Sequence, residues 1–252
     1  MDNFLQEILF TYDDPVPYKG LLIYPVTMKN FIDLSRYSSC FLVDKNSVPD
    51  IAVISMTYLE YLFHLHQQGE PYLYFFNLLL ALVLKKDEKE ISFGLDKSGK
   101  PYFSIDEKIF NSDDFNKIKE IVCSQNNIKL IDETIQKEIR EDMEKAEQYK
   151  RQLQHNKMAS LEDRMICVLI STPLKLDDIY NLTIRKFDKI LQRVDYKLHY
   201  QIYLSAQMSG MVEFKEKDAL RHWMSDLSED DEFKDVKVDL DDVKNKISSA
   251  GS

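Results

Sequence analysis

The chain has 252 residues, 44% of them hydrophobic and 12% aromatic, and a formal net charge of −10. That supplies a core without disulfides or metal, and only six glycines argue for helices over a loop-rich all-β protein. The acidic balance disfavours a general binder of nucleic acid or anionic membrane, because both need a positive footprint.

MDNFLQEILFTYDD has no basic n-region and no small-residue cleavage site, so no secretory leader is expected. The start then reads as extended: DDPVPYKG is turn-rich, and Leu21 to Val26 is a short apolar strand ended by Pro25. Phe31, Leu34 and Tyr37 carry helical spacing, and DKNSVPD is a loop by composition. Ser55 is a plausible cap for a helix through MTYLEYLFHLHQQ, closed by Gly69 and Pro71. The most apolar run, Tyr72 to Leu84, is shorter than the roughly 20 residues of a membrane span, so it reads as a buried helix paired with the one before it.

The period then changes. ISFGL and PYFSI flank DKSGK, where Gly99 can take the positive φ of a tight hairpin. NSDDFNKIKEIVCSQNN is a helix capped by Ser112 and ended at Asn126–Asn127. From Asp132 to His155 a charged segment bears one narrow stripe of Ile135, Ile139, Met143, Ala146, Tyr149 and Leu153, the pattern of a connecting helix or a short coiled coil.

Ser160 to Asp163 resembles a capping box with Asp in the last position, and its helix stops at Pro173. LDDIYNL is a short helix, and Thr183 caps a long one from Ile184 to Ser209, about 39 Å if unbroken. Residues 227–252 hold eight acids and four lysines with little apolar content, the composition of a disordered tail. The expected fold is therefore mainly α (α+β). It comprises an N-terminal α+β module with a β-hairpin and a short strand (1–127), a charged connecting helix (128–157), a C-terminal helical module (158–226) and a disordered acidic tail (227–252).

No catalytic, cofactor-binding or metal-ligating constellation emerges, and a non-enzymatic protein is expected. Cys40, Cys123 and Cys167 are far apart among apolar neighbours and read as reduced core residues. His64 and His66 are two apart, which on a helix separates them by about 200°. DKSGK lacks the glycine spacing of a phosphate loop. Arg185, Lys186, Lys189 and Arg193 form the strongest basic face, which admits a helix-turn-helix DNA reader as a minor alternative.

On the long helix, Ile184, Phe187, Leu191, Val194, Leu198, Ile202 and Ser205 share one apolar stripe. Beyond the basic face, Tyr196, Tyr200, Tyr203 and Gln207 continue the opposite side. Two explanations fit: the second half runs through a core, or the tyrosines form an exposed face that docks a partner. In the second case Tyr196, Tyr200, Tyr203, Gln207 and Trp223 are the partner-binding residues.

SLEDRMICVLISTPLKLDDIYNLTIRKFDKILQRV resembles the helical module of tail assembly chaperones of tailed bacteriophages. PYKGLLIYPVTMKNF resembles the opening strand and helix of the same group, and FNKIKEIVCSQNNI resembles a segment of phage tail or baseplate-associated proteins. The resemblance implies a non-enzymatic tail or baseplate (hub) assembly factor in the host cytoplasm. Its partner would be the tape measure protein or another tail component, with no nucleic acid, membrane or cofactor, and with self-association open. The alternative it implies is a structural baseplate or tail subunit of the virion.

Overall fold

A computed structural model of the chain describes residues 3–45, 50–130, 145, 159–210 and 222–225. It is α+β and mostly helical, with two small antiparallel sheets. The contacts divide the chain into two compact units, Met1–Gln192 and Arg193–Ser252. The acidic tail and nearly all of the charged connecting segment lie outside the described residues.

The first unit opens with helix α1 (Asn3–Tyr12), where an extended start was expected. Leu5, Ile8, Leu9 and Tyr12 fall at i, i+3, i+4 and i+7, a helical stripe that a search for a leader passes over. The chain turns at Asp13, whose φ of 60° ends the helix. DDPVPYKG, expected to be only a turn, contains strand β1 (Val16–Tyr18), which pairs antiparallel with β2 (Leu21–Ile23). Lys19 and Gly20 join them with φ of 46° and 80°, the two left-handed residues of the hairpin turn whose twist suits flanking strands. Val16 and Ile23 face each other on the buried side, while Pro17, which cannot donate to a ladder, lies opposite Leu22 on the outer one.

Helix α2 (Phe31–Tyr37) buries Leu34, as its spacing predicts. Helix α3 (Ile51–Ser55) is short, and Ser55 is its last residue rather than a cap. Thr57 caps α4 (Tyr58–Gln67) instead. Its hydroxyl accepts from Glu60 N at 3.3 Å, and Glu60 Oε2 accepts from Thr57 N at 2.6 Å. This reciprocal pair satisfies two donors that the helix cannot, and the Thr-x-x-Glu spacing carrying it was legible in the sequence. Helix α5 (Tyr72–Leu84) packs against α4 and ends at Lys85 in the left-handed conformation. It buries Leu73, Phe76, Leu79, Leu80, Val83 and Leu84, consistent with an apolar run too short for a membrane. No helix among the described residues is long and apolar enough to cross one.

The expected hairpin is β3 (Ile91–Leu95) and β4 (Pro101–Ile105), in register from Ile91–Ile105 to Leu95–Pro101. The Asp96 carboxylate ties its loop by accepting from Ser98 N, Ser98 Oγ and Lys100 N at 2.7–2.9 Å. A third strand, β5 (Lys108–Phe110), adds to β4. It escapes a sequence reading because it is three residues long and its turn uses Asp106 and Glu107 at φ 50° and 64° instead of glycine. Helix α6 (Ser112–Gln125) is capped by Asn111, one residue before the expected Ser112.

Phe76 sits at the centre of the core, its ring 4.8 Å from Phe115, 5.4 Å from Phe103, 5.9 Å from Phe93 and 6.0 Å from Phe41. Each such pair adds about 0.5–1.5 kcal/mol beyond simple burial. Among the described residues, helices α7 (Leu161–Ser171), α8 (Leu176–Asn181) and α9 (Ile184–Met208) follow, and Val168, Ile179, Ile184 and Phe187 enter this same core. Ser160 and Asp163 form the expected capping box on α7. The α8–α9 junction is stitched to the segment after β2: Met28 N donates to Leu182 O at 2.8 Å and Ile184 N to Val26 O at 3.0 Å, around a Thr27–Thr183 bridge. The amides of Gln125 and Asn126 complete that segment, reaching Ile23 O and Val26 N. Cys40 and Cys123 are buried as expected, and burial pushes their thiols up, that of Cys123 to about 12. Cys167, in contrast, is exposed on α7.

Candidate partner-binding surface

Helix α9 is 25 residues, about 37 Å long. Its start is fixed as the sequence suggests: Thr183 Oγ1 accepts from Lys186 N at 3.3 Å, which makes Thr183 the cap. The Thr183 hydroxyl in turn donates to Asp13 Oδ1 at 2.8 Å, and Lys186 pairs with Asp13 Oδ2 at 2.7 Å. These contacts hold the first two turns on the core of the first unit.

The basic face of α9 is largely consumed by the protein itself. Arg185 donates to Ser124 O at 3.0 Å and lies over the Phe10 ring at 4.8 Å, and Lys186 serves Asp13. Arg193 donates to two backbone carbonyls, described below. Three of the four cations of this face, Arg185, Lys186 and Arg193, are thus turned to partners within the chain, where a DNA reader turns its cations to phosphate.

Burial ends early along the helix. Ile184 and Phe187 are buried, and no residue of α9 after Phe187 is. Leu198 and Ile202, which continue the apolar stripe, are 51% and 63% exposed. Tyr196 and Tyr203 are 41% and 48% exposed, and Tyr200 is half-buried. Among the described residues, the second half of α9 thus displays apolar or aromatic groups on both sides. Gln207, the fourth member of the row, is exposed.

Within the second unit, residues 222–225 lie against this helix. Arg193 Nη1 donates to Trp223 O at 2.6 Å and to Ser225 O at 2.8 Å. Lys197 Nζ stands 5.7 Å from the centre of the Trp223 ring, within cation–π range. The His222 ring meets Tyr200 edge-on at 5.0 Å. Arg193, Tyr196, Lys197, Tyr200, Tyr203 and Gln207 all fall on one side of α9 at 100° per residue, so Trp223 lies on the tyrosine side. On the flank, His199 stacks at 6.2 Å on Tyr203 and lies 3.4 Å from Asp195. Sequence reasoning missed His222 and the holding role of Arg193, which it counted only as part of a basic face. The adjacent His222–Trp223 pair was the available signal.

Elsewhere the residues weighed for metal or catalysis are dispersed. The α4 helix separates His64 from His66, and His64 Nε2 is 2.9 Å from the Gln68 amide nitrogen. Among the described residues no three His, Cys, Asp or Glu side chains are grouped to hold a metal ion.

The class defined by this geometry is a mostly helical α+β protein that displays an aromatic surface on one long helix. Residues 147–228, about a third of the chain, match the family model of the YomV second domain, and this similarity to a phage-derived family points to a phage protein. The matched span contains α7, α8, α9 and the whole aromatic surface. No curated protein and no solved structure matches the chain.

Proposed function

We propose that the protein is a non-enzymatic morphogenesis factor of a tailed phage, a chaperone that binds the tape measure protein or another tail or baseplate component during assembly. The observation that carries this reading is the second half of α9, where Tyr196, Tyr203, Leu198 and Ile202 all stand exposed. Exposed aromatic and aliphatic groups on one helix suit capture of an apolar helical partner, and tyrosine is enriched at such interfaces. The similarity of residues 147–228 to a phage-derived family supports the setting. Action in the host cytoplasm follows from the role.

The test is co-expression with the tape measure protein of the same phage genome, followed by pull-down. Stoichiometric co-purification is the expected result, and its absence with every tail and baseplate protein sinks the proposal. Mass spectrometry of purified virions distinguishes the chaperone, which should be absent, from a structural subunit, which should be present.

A further inference from the structure

We propose that the turn His222–Ser225 is an autoinhibitory clasp on the tyrosine face of α9, and that Arg193 is the residue that holds it shut. The inhibitory part rests on the partner-binding reading above; the clasp itself does not.

The turn is braced internally. Ser225 N and Ser225 Oγ both donate to His222 O, at 2.8 and 2.6 Å, and Met224 N donates to His222 Nδ1 at 3.2 Å. This directs the carbonyls of Trp223 and Ser225 to one point, which the Arg193 guanidinium occupies. Both bonds are charge-assisted and come from one nitrogen, so loss of a single side chain releases both. In the turn so fastened, the rings meet the helix, His222 on Tyr200 and Trp223 beside Lys197.

The consequence lies in the pattern of exposure. Tyr196 and Tyr203 are exposed, while Tyr200 between them is half-buried with the His222 ring against it. A partner spanning the row from Tyr196 to Tyr203 has to displace His222. Its apparent affinity is then reduced by the fraction of molecules whose turn is released. The clasp lowers affinity for incidental apolar segments and leaves the full row to a partner that binds strongly enough to open it.

Trp223 is the only tryptophan in the chain, so its emission reports on the turn directly. Arg193→Gln in the full-length protein should increase quenching of Trp223 by iodide with helical content unchanged, and Arg193→Lys should restore part of the protection. With the tape measure protein as the probe, Arg193→Gln should bind about ten-fold tighter than the wild type. Unchanged quenching overturns the clasp. Increased quenching with weaker capture overturns the inhibitory role and makes the turn part of the binding surface. No capture of the tape measure protein or of any other tail or baseplate protein by either form overturns the partner reading and the inhibition with it, while the quenching result still decides the clasp. Should Arg193→Gln not fold, His222→Ala removes the Tyr200 contact and the Nδ1 acceptor, and the same two measurements apply.

Discussion

The Tyr18 hydroxyl donates to the Asp114 carboxylate at 2.6 Å, joining the first hairpin to the start of α6 across 96 positions of sequence. Asp114 is buried, accepts from Asn111 N at 3.0 Å, and pairs with Lys19 in the hairpin turn. One carboxylate therefore closes the cap of α6 and anchors β1–β2 together.

Burial alone raises the pKa of Asp114, but the bonds from Lys19, Tyr18 and Asn111 outweigh it, and the net shift is downward. A depressed folded-state value means that the carboxylate stabilises the fold above its unfolded pKa, about 3.9, and loses that contribution as pH falls through the folded one. Asp114→Asn should cost about 1.5–3 kcal/mol at pH 7, the scale of a hydrogen bond to a charged group. Urea unfolding at pH 7 and at successively lower pH should show the deficit shrinking in acid. Tyr18 shifts the opposite way, to about 12, through burial and then its bond to Asp114. Its contribution therefore persists to about pH 10, the unfolded value, and is lost as pH rises through the folded one.

The pKa of Asp188 on α9 is raised from its ordinary value by desolvation, which the Asn127 amide at 3.3 Å and the charge of Arg164 only partly offset. A raised value favours the protonated form in the fold, so stability is greatest below the unfolded pKa and declines as pH rises through the folded one. Asp188→Asn keeps an acceptor for Asn127 and removes the charge. Its melting temperature should exceed that of the wild type at pH 7 by a few degrees, with about 2–4 °C expected per kcal/mol in a domain of this size. The difference should vanish near pH 3, and a gain that persists there would falsify the desolvation argument.

Iodoacetamide applied to the native protein should label Cys167 within minutes and leave Cys40 and Cys123 unmodified until denaturant is added. Exposure decides the first outcome. Burial, which also suppresses the thiolate, decides the second. Peptide mass spectrometry reads all three sites, and early modification of Cys40 would contradict its place in the core.

Replacing Tyr196 and Tyr203 together by alanine should lower the melting temperature only slightly, since both side chains are exposed and the Tyr203 stack on His199 is a surface contact. The same variant should lose tape measure capture by at least ten-fold, because tyrosines at an interface centre commonly contribute about 2 kcal/mol or more. A large fall in melting temperature with capture intact would assign both residues a structural role.

Legibility in the sequence followed the strength of the local signal. Helices α4, α5, α7 and α9 and the β3–β4 hairpin carry long periodic runs or a glycine turn, and each stands close to where the pattern placed it. Caps drifted by one or two residues, from Ser55 to Thr57 and from Ser112 to Asn111, because neighbouring Ser, Thr and Asn offer competing acceptors. Strands β1 and β5 were lost because three residues give no alternation to count. The Tyr196, Tyr200, Tyr203 and Gln207 row was legible as a row, but not its exposure, which depends on how far along α9 the core reaches. The engagement of Arg185 by Ser124 O and of Arg193 by Trp223 O was out of reach, since a cation paired with a distant carbonyl leaves no mark on periodicity.

The contact between Asp13 and Lys186 also has a consequence in time. The two residues are 173 positions apart. At a synthesis rate of about 5–20 residues per second, the N-terminal partner leaves the ribosome roughly 9–35 s before the other. Through that interval Asp13 lacks both its cation and the Thr183 hydroxyl, and Val26 O and Met28 N lack their partners beside Thr183. The central segment can pack Phe76 against Phe103 and Phe115 early, but the final stitching of the first unit waits for the start of α9. A nascent chain arrested before Thr183 should therefore be open to protease around Val26, and one arrested well beyond Lys186 should be closed.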